Sequence, residues 1–201
     1  LASEKYATAL SLDHNFIQAL VKLYQMTTLG FGHEAFQSIT NEILTKNEDF
    51  HFMRNLLADH YLNIGDTVNT KVHYEILKEV EELPNKAQVL NNLANILLKE
   101  DLTLAEKYAL NALALDDTSS AILDTYGWIK ALRGEFEEGL TLLRRAYTMN
   151  SNDPAINYHL GYTLMKLNRI EEAKRELGRA LSSDINFSER DEAKALLESI
   201  K

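Results

Sequence analysis

Residues 121–150 read AILDTYGWIKALRGEFEEGLTLLRRAYTMN, and residues 155–184 read AINYHLGYTLMKLNRIEEAKRELGRALSSD. Laid one under the other at an offset of 34, the stretches agree in their small residues: Gly127 over Gly161, Gly139 over Ala173, Ala146 over Ala180. The same offset joins Ala105 to Gly139 and Ala112 to Ala146. Upstream it drifts, to 36 between Ala58 and Ala94 and to 33 between Ala94 and Gly127. Self-similarity at this period marks an array of repeated supersecondary units, each too small to bury its apolar face alone.

A finer regularity survives the drift. Ala2-Tyr6-Ala9, Ala35-Ile39-Glu42, Thr70-Tyr74-Leu77, Ala105-Ala109-Ala112, Gly139-Leu143-Ala146 and Ala173-Leu177-Ala180 all follow the spacing i, i+4, i+7. That spacing puts each trio on one stripe of a helix, where mostly small outer residues let a neighbouring helix come close. The partner helices carry Leu57-Ala58, Leu93-Ala94, Tyr126-Gly127 and Leu160-Gly161. Three of the linkers, Asn63-Ile64-Gly65-Asp66, Leu132-Arg133-Gly134-Glu135 and Leu167-Asn168-Arg169-Ile170, hold the glycine, asparagine and acidic residues that stop one helix and start the next. Each unit therefore reads as two antiparallel helices of about a dozen residues joined by a tight turn.

Composition narrows the chemistry. Of 201 residues 45% are apolar and 25% charged, and no apolar run approaches the roughly 18 residues of a membrane span. Cysteine is absent, which removes disulfides, thiolate nucleophiles and Cys-ligated metals. Two prolines and eight glycines are few for a turn-rich sandwich or barrel. The net charge of −9, with thirteen acids against eight bases in residues 1–100 and seventeen against thirteen afterwards, argues against nucleic acid as a partner.

These columns resemble the tetratricopeptide repeat, whose pattern runs from a large residue through Leu-Gly and Tyr to an Ala…Phe…Ala stripe and a closing Pro. Residues 87–119, 120–153 and 154–187 follow it most closely. Residues 51–86 depart at Thr70 and by two extra residues before Pro84-Asn85, and residues 17–50 depart with Tyr24 in or beside the small column and Glu42 ending the stripe. The resemblance implies an all-α fold, a right-handed α-solenoid of helical hairpins forming a single array over 1–201. Residues 1–16 match the second helix of a repeat whose first helix is missing, and the chain opens with Leu1, so a fragment of a longer array is expected. Residues 188–201 read as a capping helix: Ser188-Glu189-Arg190-Asp191 has the form of a capping box, followed by Ala193, Leu196, Leu197 and Ile200 on one face and Lys194, Glu198 and Lys201 elsewhere.

In such arrays the first helix of each hairpin lines a concave groove. Carried over by column, the groove residues here are Asn55, Asp59, Asn91, Asn95, Asp124, Trp128, Tyr158, Tyr162 and Met165. Amides both donate to and accept from a peptide backbone, and rigid aromatics serve as anchors, so a protein or peptide partner is expected. The competing reading is that the asparagines coat a solvated helix face and the aromatics plug gaps between repeats. Capture of a C-terminal carboxylate by a cationic clamp is rejected, because Thr125, Ala155 and His159 stand where its cations belong.

No cofactor, metal or intrinsic catalysis is expected. The histidines, His14, His33, His51, His60, His73 and His159, show no metal-binding spacing and read as surface or turn residues. The acid pairs Glu137/Glu138 and Glu171/Glu172 complement helix starts, and Arg144-Arg145 with Lys174, Arg175 and Arg179 read as outer-face salt links.

Over residues 85–200, Asn92-Leu93-Ala94, Leu123 to Trp128, Glu138-Gly139-Leu140, Leu143 to Ala146 and Tyr158 to Gly161 are similar to bacterial repeat lipoproteins of PEP-CTERM/exosortase protein-sorting and exopolysaccharide systems. This implies a scaffold in a bacterial cell envelope. Two alternatives stand beside it: a structural array that self-associates through an open N-terminal end exposing Tyr6 and Leu10, and the substrate-recruiting region of a larger enzyme. The first repeats are expected to fray before the capped C-terminal end.

Overall fold

A computed structural model describes residues 2–200. Leu1 and Lys201 lie outside the described residues. Twelve helices and no strand occur among these residues: α1 (Ala2–Leu12), α2 (Ile17–Thr28), α3 (His33–Lys46), α4 (His51–Asn63), α5 (Thr67–Leu77), α6 (Lys86–Leu97), α7 (Leu102–Leu115), α8 (Ser120–Leu132), α9 (Phe136–Met149), α10 (Pro154–Lys166), α11 (Ile170–Ser182) and α12 (Arg190–Ser199). The fold is an all-α helical repeat. The chain divides into two compact units, Leu1–Pro84 with α1 to α5 and Asn85–Lys201 with α6 to α12.

The turns explain why the hairpins form where they do. Gly65 (φ +78°), Gly134 (φ +83°) and Asn168 (φ +59°) are all left-handed. Around each, the backbone N–H of Asp66, Glu135 and Arg169 donates to the carbonyl of the residue five positions earlier, Tyr61, Lys130 and Leu164, at 2.9 Å. This bond pattern closes a helix end and reverses the chain, and it needs a residue that tolerates positive φ. Side chains then start several of the following helices. Asp66 accepts from the Asn69 N–H and Asp101 from the Leu104 N–H, each at 3.0 Å, while Asp153 accepts from Ala155 beside Pro154 at the first helical position.

In unit Asn85–Lys201 the hairpins close on small residues. A Cβ added at Gly139 would stand 2.8 Å from the Gly127 carbonyl oxygen and 3.1 Å from the Ala131 nitrogen. At Gly161 it would stand 2.6 Å from Leu177. The stripes Ala105-Ala109-Ala112 and Ala173-Leu177-Ala180 are fully buried, and so are Leu143 and Ala146 beside Gly139. First helices touch along the stack, α6 on α8 and α8 on α10, whereas α7, α9 and α11 make no close backbone contact with one another. The unit therefore curves with its first helices on the inner side. Side chains span the outer gaps: Arg144 reaches Glu172 at 3.4 Å, Arg179 the Tyr147 hydroxyl at 2.9 Å, and Arg145 the Asp117 carbonyl at 3.3 Å. Lys130, 9% exposed, joins α7, α8 and α9 through Glu106 (3.0 Å) and Glu135 (2.8 Å).

Helix α12 packs on α10 and α11 with Ala193 fully buried and Leu196, Leu197 and Ile200 half-buried. Its expected capping box is absent. The helix starts at Arg190 with no side-chain cap, because the Ser188 hydroxyl donates to the Glu189 carboxylate at 2.8 Å instead of capping the backbone.

Unit Leu1–Pro84 corrects two of the six stripes, one of them by one residue. In α3 the fully buried trio is Phe36-Thr40-Ile43, whereas Glu42 is exposed and bonded to Lys46 at 2.7 Å. In α1 Ala2 is exposed, while Tyr6, Ala7 and Ala9 are half-buried against the same core as Leu10. Leu10 is fully buried, so it is not an open N-terminal surface, and a Cβ on Gly32 would come 2.7 Å from Ser3. The physical reason is bulk: Phe36 outcompetes Ala35 for the core, and Tyr24 meets its ring at 5.7 Å. As a result α2 and α3 meet far less extensively than α8 and α9. Thr70-Tyr74-Leu77, in contrast, is fully buried as read.

Two alanine substitutions separate close approach from helix propensity. Gly178, inside α11, has open space around its Cβ direction, and Gly178→Ala is expected to stabilise by about 0.5–1 kcal/mol. Gly139→Ala forces backbone against backbone and is expected to destabilise by about 1–3 kcal/mol. Urea unfolding followed through Trp128, the chain's single tryptophan, measures both, and equal shifts of one sign would refute the account.

Candidate functional site

The first helices of unit Asn85–Lys201 bring seven of the nine expected groove residues onto α6, α8 and α10, but not as an open row. Asn91 (3% exposed), Asp124 (9%), Trp128 (8%) and Tyr158 (6%) are buried, and Asn95, Tyr162 and Met165 reach the surface. Asn95 is held in place: its Nδ2 donates to the Asn91 carbonyl (3.2 Å) and to Thr125 Oγ1 on α8 (3.1 Å), which leaves its carbonyl oxygen as the group still able to accept.

Between α8 and α10 lies a polar–aromatic cluster. His159 Nδ1 stands 2.9 and 3.0 Å from the two carboxylate oxygens of Asp124, so the Nδ1–H donates to that carboxylate. The imidazole stacks on Trp128 with centroids 4.3 Å apart and planes 14° apart, and Tyr162 meets the indole edge-on at 4.9 Å. Tyr158 adds a tilted contact at 5.7 Å; its phenol is pushed up to about 12 by burial, with Glu189 and Glu192 adding to the effect. Lys166 lies over the Tyr162 ring at 5.3 Å. Asn91 Oδ1 and His159 Nε2 are buried and have no hydrogen-bond partner among the described residues.

Unit Leu1–Pro84 holds the other two residues. Asp59, half-buried on α4, accepts from the Tyr74 hydroxyl on α5 and from Asn55 Nδ2 at 3.1 Å. Burial raises the Asp59 carboxyl above its ordinary range, although these two donors pull it down. Nearby, α2, α3 and α4 enclose an open pocket of about 380 Å³ lined by Thr27, Thr28, His33, His60, Asn63 and Ile64. No group of three or more His, Asp or Glu able to hold a metal occurs among the described residues.

Two histidines expected on the surface lie instead in the interior. His60 is 1% exposed, 5.2 Å from the His33 and Phe36 rings, and its Nε2 is 3.0 Å from the Gln37 amide. His159 is 6% exposed. Half-buried His73 stacks on Tyr61 at 5.6 Å with Arg54 Nη1 at 3.4 Å from its Nδ1. Single histidines carry no periodic signal. The one available clue was columnar, since Asp124 and His159 sit 35 apart, one residue off the repeat, on successive first helices.

The tetratricopeptide repeat family model matches residues 131–200. No curated protein matches the chain in sequence. Among solved structures, TTC0263, a thermophilic repeat protein of Thermus thermophilus, superposes with a TM-score of 0.65 at 20% identity, covering 90% of this chain and 98% of its own. YrrB, described as a repeat protein with an unusual peptide-binding site, gives 0.64 at 16% identity over 96% and 99%. The Cut9–Hcn1 hetero-tetramer of APC/C gives 0.76 at 14% identity over 98% of this chain and 39% of the other.

The buried imidazoles set a pH dependence. Burial, with Arg54 adding to it, lowers His73 to about 4, and burial lowers His60, with His33 adding to it. Below the ordinary value of 6.5 the unfolded chain binds protons that the folded unit refuses, so stability falls as pH drops from 6.5 towards 4 and is intact above 6.5. Hydrogen exchange, corrected for intrinsic rates, is expected to show α3 to α5 losing protection between about pH 7 and about pH 5 ahead of α8 to α11. Loss in the reverse order would contradict this assignment.

Proposed function

We propose that this chain, tetratricopeptide-repeat in fold and matched to that family over residues 131–200, binds an extended peptide or protein segment along its first helices and does no chemistry on it. One observation carries the reading. Asn95 is exposed and has both amide protons engaged by its own chain, so its carbonyl oxygen is the group left to accept, on the same helix layer that presents Tyr162 and Met165. An acceptor held in place beside an aromatic and a thioether suits a backbone N–H flanked by apolar side chains. The peptide-binding site named for YrrB, on a similar fold, supports this use of the surface.

The repeats 17–50, 51–86, 87–119, 120–153 and 154–187 are assigned as one array, with 1–16 as the second helix of a preceding repeat and 188–201 as its cap. We place the partner in a bacterial envelope protein-sorting or exopolysaccharide system, facing the periplasm, on the strength of the motifs Leu123 to Trp128 and Tyr158 to Gly161. Self-association through α1 would have to use Leu12, 85% exposed, because Leu10 is fully buried.

Trp128→Ala is a poor test, since removing a packed indole costs about 3–5 kcal/mol by itself. The informative variants are Asn95→Ala, Tyr162→Ala and Met165→Ala. Peptides selected from a random dodecapeptide phage library on the intact chain are expected to bind the Asn95→Ala, Tyr162→Ala double variant at least tenfold more weakly, a loss of about 1.4 kcal/mol, with the unfolding midpoint moved far less. Unchanged affinity in both the double variant and Met165→Ala would remove the groove from consideration.

A further inference from the structure

Asp59 carries a charge that its structural role does not require. Its carboxylate joins α4 to α5 by accepting from Tyr74, whose side chain is fully buried, and it accepts from Asn55 on its own helix. An amide oxygen would accept the Tyr74 proton equally well without the cost of removing a carboxylate from water. Among the described residues no opposite charge offsets that cost: burial acts on Asp59 with only these two neutral donors against it.

The geometry of what remains is specific. An ionised carboxylate offers two acceptor directions on each oxygen. Tyr74 takes one on Oδ1 and Asn55 takes one on Oδ2, so each oxygen keeps acceptor capacity. A guanidinium is more weakly hydrated than an ammonium and carries five N–H donors in a planar fork, which suits a half-buried carboxylate with acceptor capacity on both oxygens. Burial raises the Tyr24 phenol on α2, with the Asp59 carboxylate adding to the effect, so that hydroxyl lies within electrostatic reach of the site. The surrounding field has the same sign, with twelve Asp and Glu against six Lys and Arg in residues 1–84.

We propose that Asp59 receives an arginine side chain of a partner protein, so that unit Leu1–Pro84, taken by itself, selects partners carrying a guanidinium. The inference rests on the peptide-binding reading above and adds the chemistry of one position in the partner. Tyr74 and Asn55 act as positioning residues that fix the carboxylate through one bond to each of its oxygens.

N-acetyl-arginine amide and its neutral isostere N-acetyl-citrulline amide are the probes, titrated into the 15N-labelled intact chain. Arginine amide is expected to shift the backbone amides around Asn55, Asp59 and Tyr24 saturably, with the effect weakened by salt, and citrulline amide is expected to leave them in place. Asp59→Asn, which keeps an acceptor for Tyr74, is expected to abolish the response while the spectrum stays dispersed. The citrulline comparison needs no variant, so it decides the matter even if Asp59→Asn unfolds. Equal shifts from both probes, shifts mapping elsewhere, or an undiminished response in folded Asp59→Asn would overturn the proposal. Phage peptides that bind through Asn95 and Tyr162 without any arginine preference would sink this inference alone, whereas a positive arginine response with no peptide binding would sink the groove reading and leave the arginine site.

Discussion

The organisation of unit Asn85–Lys201 depends on how closely the two helices of a hairpin approach. At Gly127 and Gly139 the distance is set by backbone on backbone, with no room for even one methyl group at Gly139. That approach buries Leu143 and Ala146 completely, fixes which face of α8 turns inward, and so decides where Asp124 and Trp128 stand. A side chain there would separate the layers and leave voids that packed interiors do not tolerate. Unit Leu1–Pro84 shows the opposite case. Tyr24 and Phe36 occupy the corresponding region, α2 and α3 meet sparsely, and histidine rings and an open pocket fill the space beside them.

Most of this was legible because it is periodic. Small residues at i, i+4 and i+7 specified the packing stripes of α5, α7, α9 and α11, and the glycine or asparagine at 65, 134 and 168 marked the chain reversals. The reading failed where bulk overrides pattern. In α3 a one-residue slip exchanges Ala35 and Glu42 for Phe36 and Ile43, a choice that three-dimensional packing makes and a spacing rule does not. The capping box at Ser188 failed for a local reason, since its hydroxyl found a nearer carboxylate.

The candidate site was legible only in outline. Columns placed Asn95, Tyr162 and Met165 at the surface of the inner helices, but the same columns carried Trp128 and Tyr158 into the packed layer, where they join His159. Periodicity identifies a face and says little about depth. The Asp124–His159 bond and the Asp59–Tyr74 bond each join two helices, so no single-helix pattern announces them. Such cross-helix polar contacts give buried charges and rings one orientation, which an array of interchangeable apolar stripes would not do alone.

The uneven contact between the two layers of unit Asn85–Lys201 has a mechanical consequence. Inner helices abut and act as fulcra, whereas the outer helices are strung together by Arg144, Arg145 and Arg179, long side chains that pivot through many rotamers. Bending that narrows the outer gaps brings together helices that do not touch one another and is resisted only where α7 meets α8 and α9 meets α10; over-curling has to stretch those tethers and crush the abutting rods. The unit is thus softer in one direction than in the other, in the manner of a leaf spring.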